Sequence, residues 1–255
     1  MYKTGAIIDW MNEKFPPETA EEYDNPGIMC GSASKDVNKL VISLDLTSRA
    51  VSLAKEKGAQ MLITHHPVIF GGIDNVNEDL PHGRLLSQLI RENITCFAAH
   101  TNLDKAPEYS NAILADILGA TSFEVPEDVS CGVVALFDEM KLSEFMAETV
   151  KALDSSGAIS INDPDRKVSK VFVQGGAFDE ESIPALLRAG VDTVVSGEIK
   201  HHVTVMLEEL GINSIIAGHS ATEQVYLPKL AKLLSEQFPQ IKFIVNNNNE
   251  SASVI

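Results

Sequence analysis

Two adjacent histidines close an apolar run, Met61-Leu62-Ile63-Thr64-His65-His66-Pro67. The run is short, hydrophobic and bounded by turn residues, so it reads as a buried strand. Imidazoles at its end put two potential metal ligands on the rim of a sheet, where open α/β sheets bind ligands. Successive side chains of a strand point to opposite faces, so both histidines reach one site only if the strand direction breaks, as Pro67 favours. Two further apolar runs end in the same chemistry. One, Ile94 to Ala99, leads into His100 and Asp104; the other, Ile212 to Ala217, leads into His219 and Glu223.

Each cluster alone has a plainer reading. One of His65 and His66 could cap the strand while the other is solvated. Asn102 and Asp104 are turn formers that bond their own backbone. Ser220 is a competent N-cap, and with Glu223 three residues on it could form a capping box. Repeated at three strand ends, however, the pattern points to one metal centre. Glu198, Lys200, His201 and His202 follow another apolar run, Val191 to Ser196. They either line a substrate cleft, with His100, Glu198 and His201 as catalytic candidates, or form a helix N-terminus whose dipole Glu198 favours. Asp24 and Asn25 read as turn formers and His82 as a surface residue. Gly71-Gly72 and Gly175-Gly176 read as flexible loops, since neither fits a phosphate-cradling glycine pattern.

The elements needed to hold these residues are visible as an alternation. Strands are expected at 39–45, 59–66 and 94–100, with helices at 48–57, 83–93 and 109–118. A short helix at 6–15, stopped by Pro16-Pro17, precedes them. A second series follows: strands at 132–136, 170–174, 191–196 and 212–217, with helices at 142–153, 181–189 and 202–210. A long helix at 222–238 and a strand at 241–245 lead to the polar tail Asn246 to Asn249. Strand–helix alternation of this length predicts an α/β fold of two α/β domains with largely parallel or mixed sheets. A turn-rich acidic stretch near Pro126 marks a break. If His219 and Glu223 share a site with His65, the second domain, about 127–211, is inserted in a first made of 1–126 and about 212–255.

Composition narrows the function classes. The chain has 255 residues, 44% of them hydrophobic, and carries 20 Lys and Arg against 36 Asp and Glu, a formal charge of −16. Binding to a phosphate backbone rests on Lys and Arg, so nucleic acid is a poor partner for this chain. Cys30, Cys96 and Cys131 are widely spaced and form no C-x-x-C pair, which predicts reduced thiols and a cytoplasmic location. The first residues lack the charged and apolar regions of a signal peptide, so none is expected, and no apolar run nears the roughly 20 residues that span a bilayer.

Six blocks carry a resemblance: YDNPGIMCG at 23–31, ISLDLT at 42–47, ITHHPVIF at 63–70, AAHTNLD at 98–104, SGEIKHH at 196–202 and AGHSATE at 217–223. They run in order through nearly the whole chain and resemble the NIF-three-like family, whose members are labelled GTP cyclohydrolase 1 type 2 homologues. The resemblance implies a two-domain α/β protein with a dinuclear metal centre and a toroidal homohexamer. It places metal ligands at His65, His66, Asp104, His219 and Glu223, with His100 a further ligand or near neighbour. Two positions depart from the family pattern: Tyr23, where Trp is common, and Glu198, where Asp is usual.

Three histidines and two carboxylates exceed one closed four-coordinate site. They suit two divalent ions about 3.5 to 4 Å apart that activate a water. Mixed imidazole and carboxylate donors accept Zn, Mn, Fe or Ni alike. The expectation is a metal-dependent hydrolase acting on a small polar substrate. The alternative is a non-catalytic metal-binding scaffold or regulatory oligomer acting through protein partners.

Overall fold

The computed structural model describes residues 1–247. Its strands are β1 (Tyr2–Lys3), β2 (Gly27–Cys30), β3 (Asp36–Val37), β4 (Lys39–Ser43), β5 (Met61–Thr64) and β6 (Thr95–Ala98). They continue with β7 (Ser122–Glu124), β8 (Val133–Lys141), β9 (Lys167–Ala177), β10 (Thr193–Glu198), β11 (Asn213–Ile216) and β12 (Lys242–Asn246). Of the expected tail, Asn246 closes β12, while Asn248 and Asn249 lie outside the described residues.

The chain divides into two compact units. Among the described residues, the first holds Met1–Leu103 and 227–247, and the second holds Asp104–Tyr226. The second unit is thus larger than the 127–211 segment expected from sequence. Packing is the reason: Ala112, Leu114 and Ala115 of the helix Ser110–Ile117 share a core with Val171 and Val173 of β9, and Ala221 and Val225 pack against that core.

In the first unit the sheet order is β12-β4-β5-β6-β2, with β2 antiparallel to β6 and the other pairs parallel. Ser43, Thr64 and Ala98 are register partners, so β4, β5 and β6 end level with one another. Whatever follows those ends emerges at one edge. The helix Ser48–Lys57 starts where the Thr47 hydroxyl accepts from the Ala50 N–H at 3.1 Å and stops at Gly58, whose φ of 64° is left-handed. Its Ala50, Val51 and Ala54 pack with Leu85 and Leu89 of the helix Pro81–Arg91 over Val41, Leu62 and Cys96. Burying each such Leu or Val stabilises the fold by about 1.5–3 kcal/mol.

In the second unit the order is β11-β10-β9-β8-β7, parallel from β11 to β9 and antiparallel from β9 to β7. Alternate residues face opposite sides of a strand. Accordingly Val171, Val173 and Val195 enter one apolar cluster, while Phe172 and Val194 enter the other.

Three expectations are corrected. The helix expected at 222–238 is two helices, His219–Gln224 and Leu227–Gln237. Pro228, second in the latter, lacks an N–H and would clash with the carbonyl four residues back. Gly175-Gly176 is no flexible loop but part of β9: the Gly175 N–H is held by Asn111 Oδ1 at 2.7 Å and that of Gly176 by Thr222 Oγ1 at 3.1 Å. His82, expected at the surface, is half-buried in the first turn of the helix Pro81–Arg91. No helix among the described residues is long and apolar enough to cross a membrane.

Candidate metal centre

In the first unit, the level ends of β4, β5 and β6 deliver Asp45, His65, His66 and His100 to one edge. The backbone turns immediately: the His65 and His66 N–H groups both donate to the Leu44 carbonyl, each at 3.0 Å. That departure from the ladder lets consecutive histidines face the same side. Their ligand nitrogens and that of His100 all lie within 4.8 Å of one another. The rings sit close, with centroids 4.8 Å apart for His65 and His66 and 4.9 Å for His65 and His100.

Each ring is tethered through the same nitrogen. His65, 2% exposed, donates from Nδ1 to the Ala99 carbonyl at 3.0 Å. His66 donates from Nδ1 to Asp45 Oδ1 at 2.8 Å, and His100 from Nδ1 to Asp24 Oδ1 at 2.9 Å. A carbonyl or carboxylate only accepts, so Nδ1 carries a proton in each ring, and in the neutral ring Nε2 keeps the lone pair. This is how metal-binding histidines are held by their surroundings. A divalent cation fits this donor set.

Asp24, expected only to shape a turn, has a larger role. Its other oxygen accepts from the Thr101 N–H at 3.0 Å and from the Thr101 hydroxyl. Burial works to raise its pKa, but the bonds from His100 and Thr101 prevail and hold the carboxyl well below the usual range. Asn102 fixes the same turn, accepting from the His100 N–H at 2.9 Å and donating to the Phe15 carbonyl at 2.7 Å. Asp45 was missed by sequence reasoning. Its signal was present in KLVISLD, an apolar run ending in a carboxylate just as the others end in histidine.

In the second unit, Ser196, Gln174 and Ile216 are register partners, so β9, β10 and β11 bring Gly176, Glu198 and His219 to one edge. His219 opens the helix His219–Gln224 behind Gly218, which serves as N-cap. Ser220 therefore lies inside the helix and cannot cap it, so the capping-box reading fails. One helical turn sets His219 and Glu223 on the same face. His219 Nε2 is 3.1 Å from Glu223 Oε2, and its Nδ1 is 3.3 Å from Glu198 Oε1. Glu223 is 4% exposed. Space for it comes from Gly176, where a Cβ would overlap Glu223 Oε1.

Asp104 accepts from the Ser110 hydroxyl at 2.7 Å, and its carbonyl accepts from Asn111 Nδ2 at 3.1 Å. Cys131 lies beside it; burial, then the Asp104 charge, pushes its thiol well above the ordinary value. Burial also raises the Cys30 thiol. His201, among the described residues, joins neither cluster. It is exposed at the start of the helix His201–Glu209, and its neighbours Lys200 and His202 pair with Glu180 at 2.9 and 3.1 Å.

The structure is a mixed α/β fold that carries histidine and carboxylate groups at its strand ends, a set that could hold a metal ion. The chain belongs to the Duf34/NIF3 (NGG1p interacting factor 3) family, whose model matches residues 2–251. It is 28% identical over 252 residues to a Clostridium perfringens protein named GTP cyclohydrolase 1 type 2 homolog, covering 96% of both chains. The crystal structure of a Staphylococcus aureus hypothetical protein matches with a TM-score of 0.92 at 24% identity, covering 99% of both chains. That of a Bacillus cereus protein related to NIF3 matches with a TM-score of 0.91 at 21% identity, again over 99% of both. These two likenesses establish the fold.

Proposed function

We propose that the chain is a metal-dependent hydrolase with a dinuclear centre, whose ligands are His65, His66, Asp104, His219 and Glu223, with His100 beside them. The observation that carries this reading is the triad of imidazoles, each tethered at Nδ1 so that Nε2 is the donor. Divalent ions bound there would supply Lewis acidity and lower the pKa of a water. Asp45, Asp24 and the Ala99 carbonyl hold the rings in register without reorganisation. Zn, Mn, Fe and Ni all suit the donors.

The substrate class is small and polar, and the name of the Clostridium perfringens relative makes GTP the first compound to try. Reduced cysteines fit a cytoplasmic location, and the family resemblance supports a homohexamer. Metal analysis of protein purified without chelator should find about two ions per chain, falling on Asp104→Ala or Glu223→Ala. Fewer than one ion after metal supplementation overturns the centre. Metal-loaded protein should hydrolyse a nucleotide, heterocycle or phosphoester faster than the doubly substituted His65→Ala, His66→Ala variant. Bound metal with no turnover in that panel overturns the hydrolase and leaves the metal-binding scaffold.

A further inference from the structure

We propose that Glu198 is the positioning residue of His219: its carboxylate faces the Nδ1–H as acceptor, keeps the proton on Nδ1 and so commits Nε2 to metal. The inference rests on His219 being a ligand, as proposed above.

The argument starts from the backbone. β10 is regular against β9 through Ser196, and then its register shifts between Ser196 and Glu198. Such a bulge bends a strand and re-aims its side chains, commonly beside a functional site. The residue inside it is Gly197, where a Cβ would stand 2.6 Å from the His219 Cα and 2.7 Å from the Gly176 carbonyl oxygen. The end of β10 thus approaches the start of the helix His219–Gln224 as closely as only glycine permits. Past the bulge, Glu198 is anchored by its own carbonyl, which accepts from the Phe178 N–H at 2.8 Å. Its side chain places Oε1 at 3.3 Å from His219 Nδ1.

Two carboxylates therefore face the two nitrogens of one ring, and they differ in setting. Glu223 is buried on the Nε2 side, whereas the Glu198 side chain is 64% exposed on the Nδ1 side. A neutral imidazole has one proton to give. Given to Glu198, it leaves the Nε2 lone pair on the side of Glu223, a second oxygen donor. Given to Glu223, it would leave His219 unable to bind metal through Nε2. Glu198, 3.3 Å from Nδ1, favours the first arrangement, in the place that Asp45 and Asp24 take with shorter hydrogen bonds of 2.8 and 2.9 Å to His66 and His100. This role is distinct from both sequence readings of Glu198, a catalytic group lining a substrate cleft and a charge favoured by a helix dipole.

The test titrates zinc alone into chelator-treated full-length chain, with the histidine rings labelled with nitrogen-15 for NMR. Glu198→Ala should weaken zinc binding roughly 10–100-fold and abolish the downfield Nδ1–H resonance of His219, assigned by its loss in His219→Ala. Glu198→Gln keeps an acceptor oxygen and should recover most of the affinity and the resonance. A thermal midpoint for metal-free Glu198→Ala close to that of the parent, expected for an exposed side chain, ties the loss to His219. Zinc affinity within about two-fold of the parent, with the His219 resonance intact in Glu198→Ala, overturns the positioning role. If His219→Ala itself binds zinc like the parent, the metal reading of His219 falls, and this inference with it.

Discussion

Asp24 concentrates four hydrogen bonds on one carboxylate: from His100, from Asn25 and two from Thr101. Removing it in metal-free Asp24→Ala leaves those donors without their charged acceptor, at a cost of about 2–3 kcal/mol at pH 7. The sign of the pH dependence follows from its depressed pKa. A carboxyl whose folded pKa lies below its unfolded value contributes stability above the unfolded value and loses it as pH falls through the folded one. The gap in urea midpoint between parent and variant should therefore narrow below about pH 4. A gap that stays constant from pH 7 to pH 3 contradicts the account. Gly176 offers a second residue-scale test with an internal control. Its φ is 65° and a Cβ would meet Glu223, whereas Gly190 has a φ of 68° and open space around it. Both Ala variants should lose about 1–2 kcal/mol for the left-handed backbone. Only Gly176→Ala should also weaken zinc binding, because it alone displaces the Glu223 carboxylate. Equal zinc affinities in the two variants would remove Gly176 from the site.

At the scale of elements, the edge strand β2 gives another contrast. Cys30 on β2 and Cys96 on β6 are register partners, and both belong to the same apolar cluster. Cys96 is fully buried and its thiol is pushed up to about 12 by that burial. Alkylation at pH 8 should thus mark half-buried Cys30 first and reach Cys96 only as fast as the sheet unfolds, read by mass spectrometry of digested protein. Labelling of both at one rate would show that β2 opens readily. The same sheet shows what the sequence could reveal. Strands β4, β5 and β6 were legible because each is a continuous apolar run buried on both faces. The helix 48–57 was legible because Thr47 and Gly58 mark its ends. Strand β2 was not, since GIMC is four residues long with no alternation, and β7, all exposed, has no apolar signature at all. The histidines and Glu223 announced themselves by residue type. Asp24, Asp45, Glu198 and the bulge at Gly197 act through tertiary contacts with residues distant in sequence, which periodicity does not encode.

For the whole molecule, charge and metal set the expectations. A formal charge of −16 opposes any polyanion, so filter binding at about 0.1 M salt should retain no nucleic acid on the protein. Metal ions act in the opposite sense. An ion that binds only the folded chain stabilises it by about 2.7 kcal/mol at one hundred times its dissociation constant. Zinc should therefore raise the thermal midpoint of chelator-treated protein, and a chelator should reverse the rise. How substitutions change that rise separates one centre from two independent sites. If His65, His66 and Glu223 serve a common centre, the His65→Ala, His66→Ala double variant and Glu223→Ala should each remove most of the rise, and combining them should remove little more. Independent sites would instead give partial losses that add, since distant and uncoupled substitutions combine additively. Additive losses would break the single-centre proposal while leaving the tethered imidazoles of the first unit as a metal site in their own right.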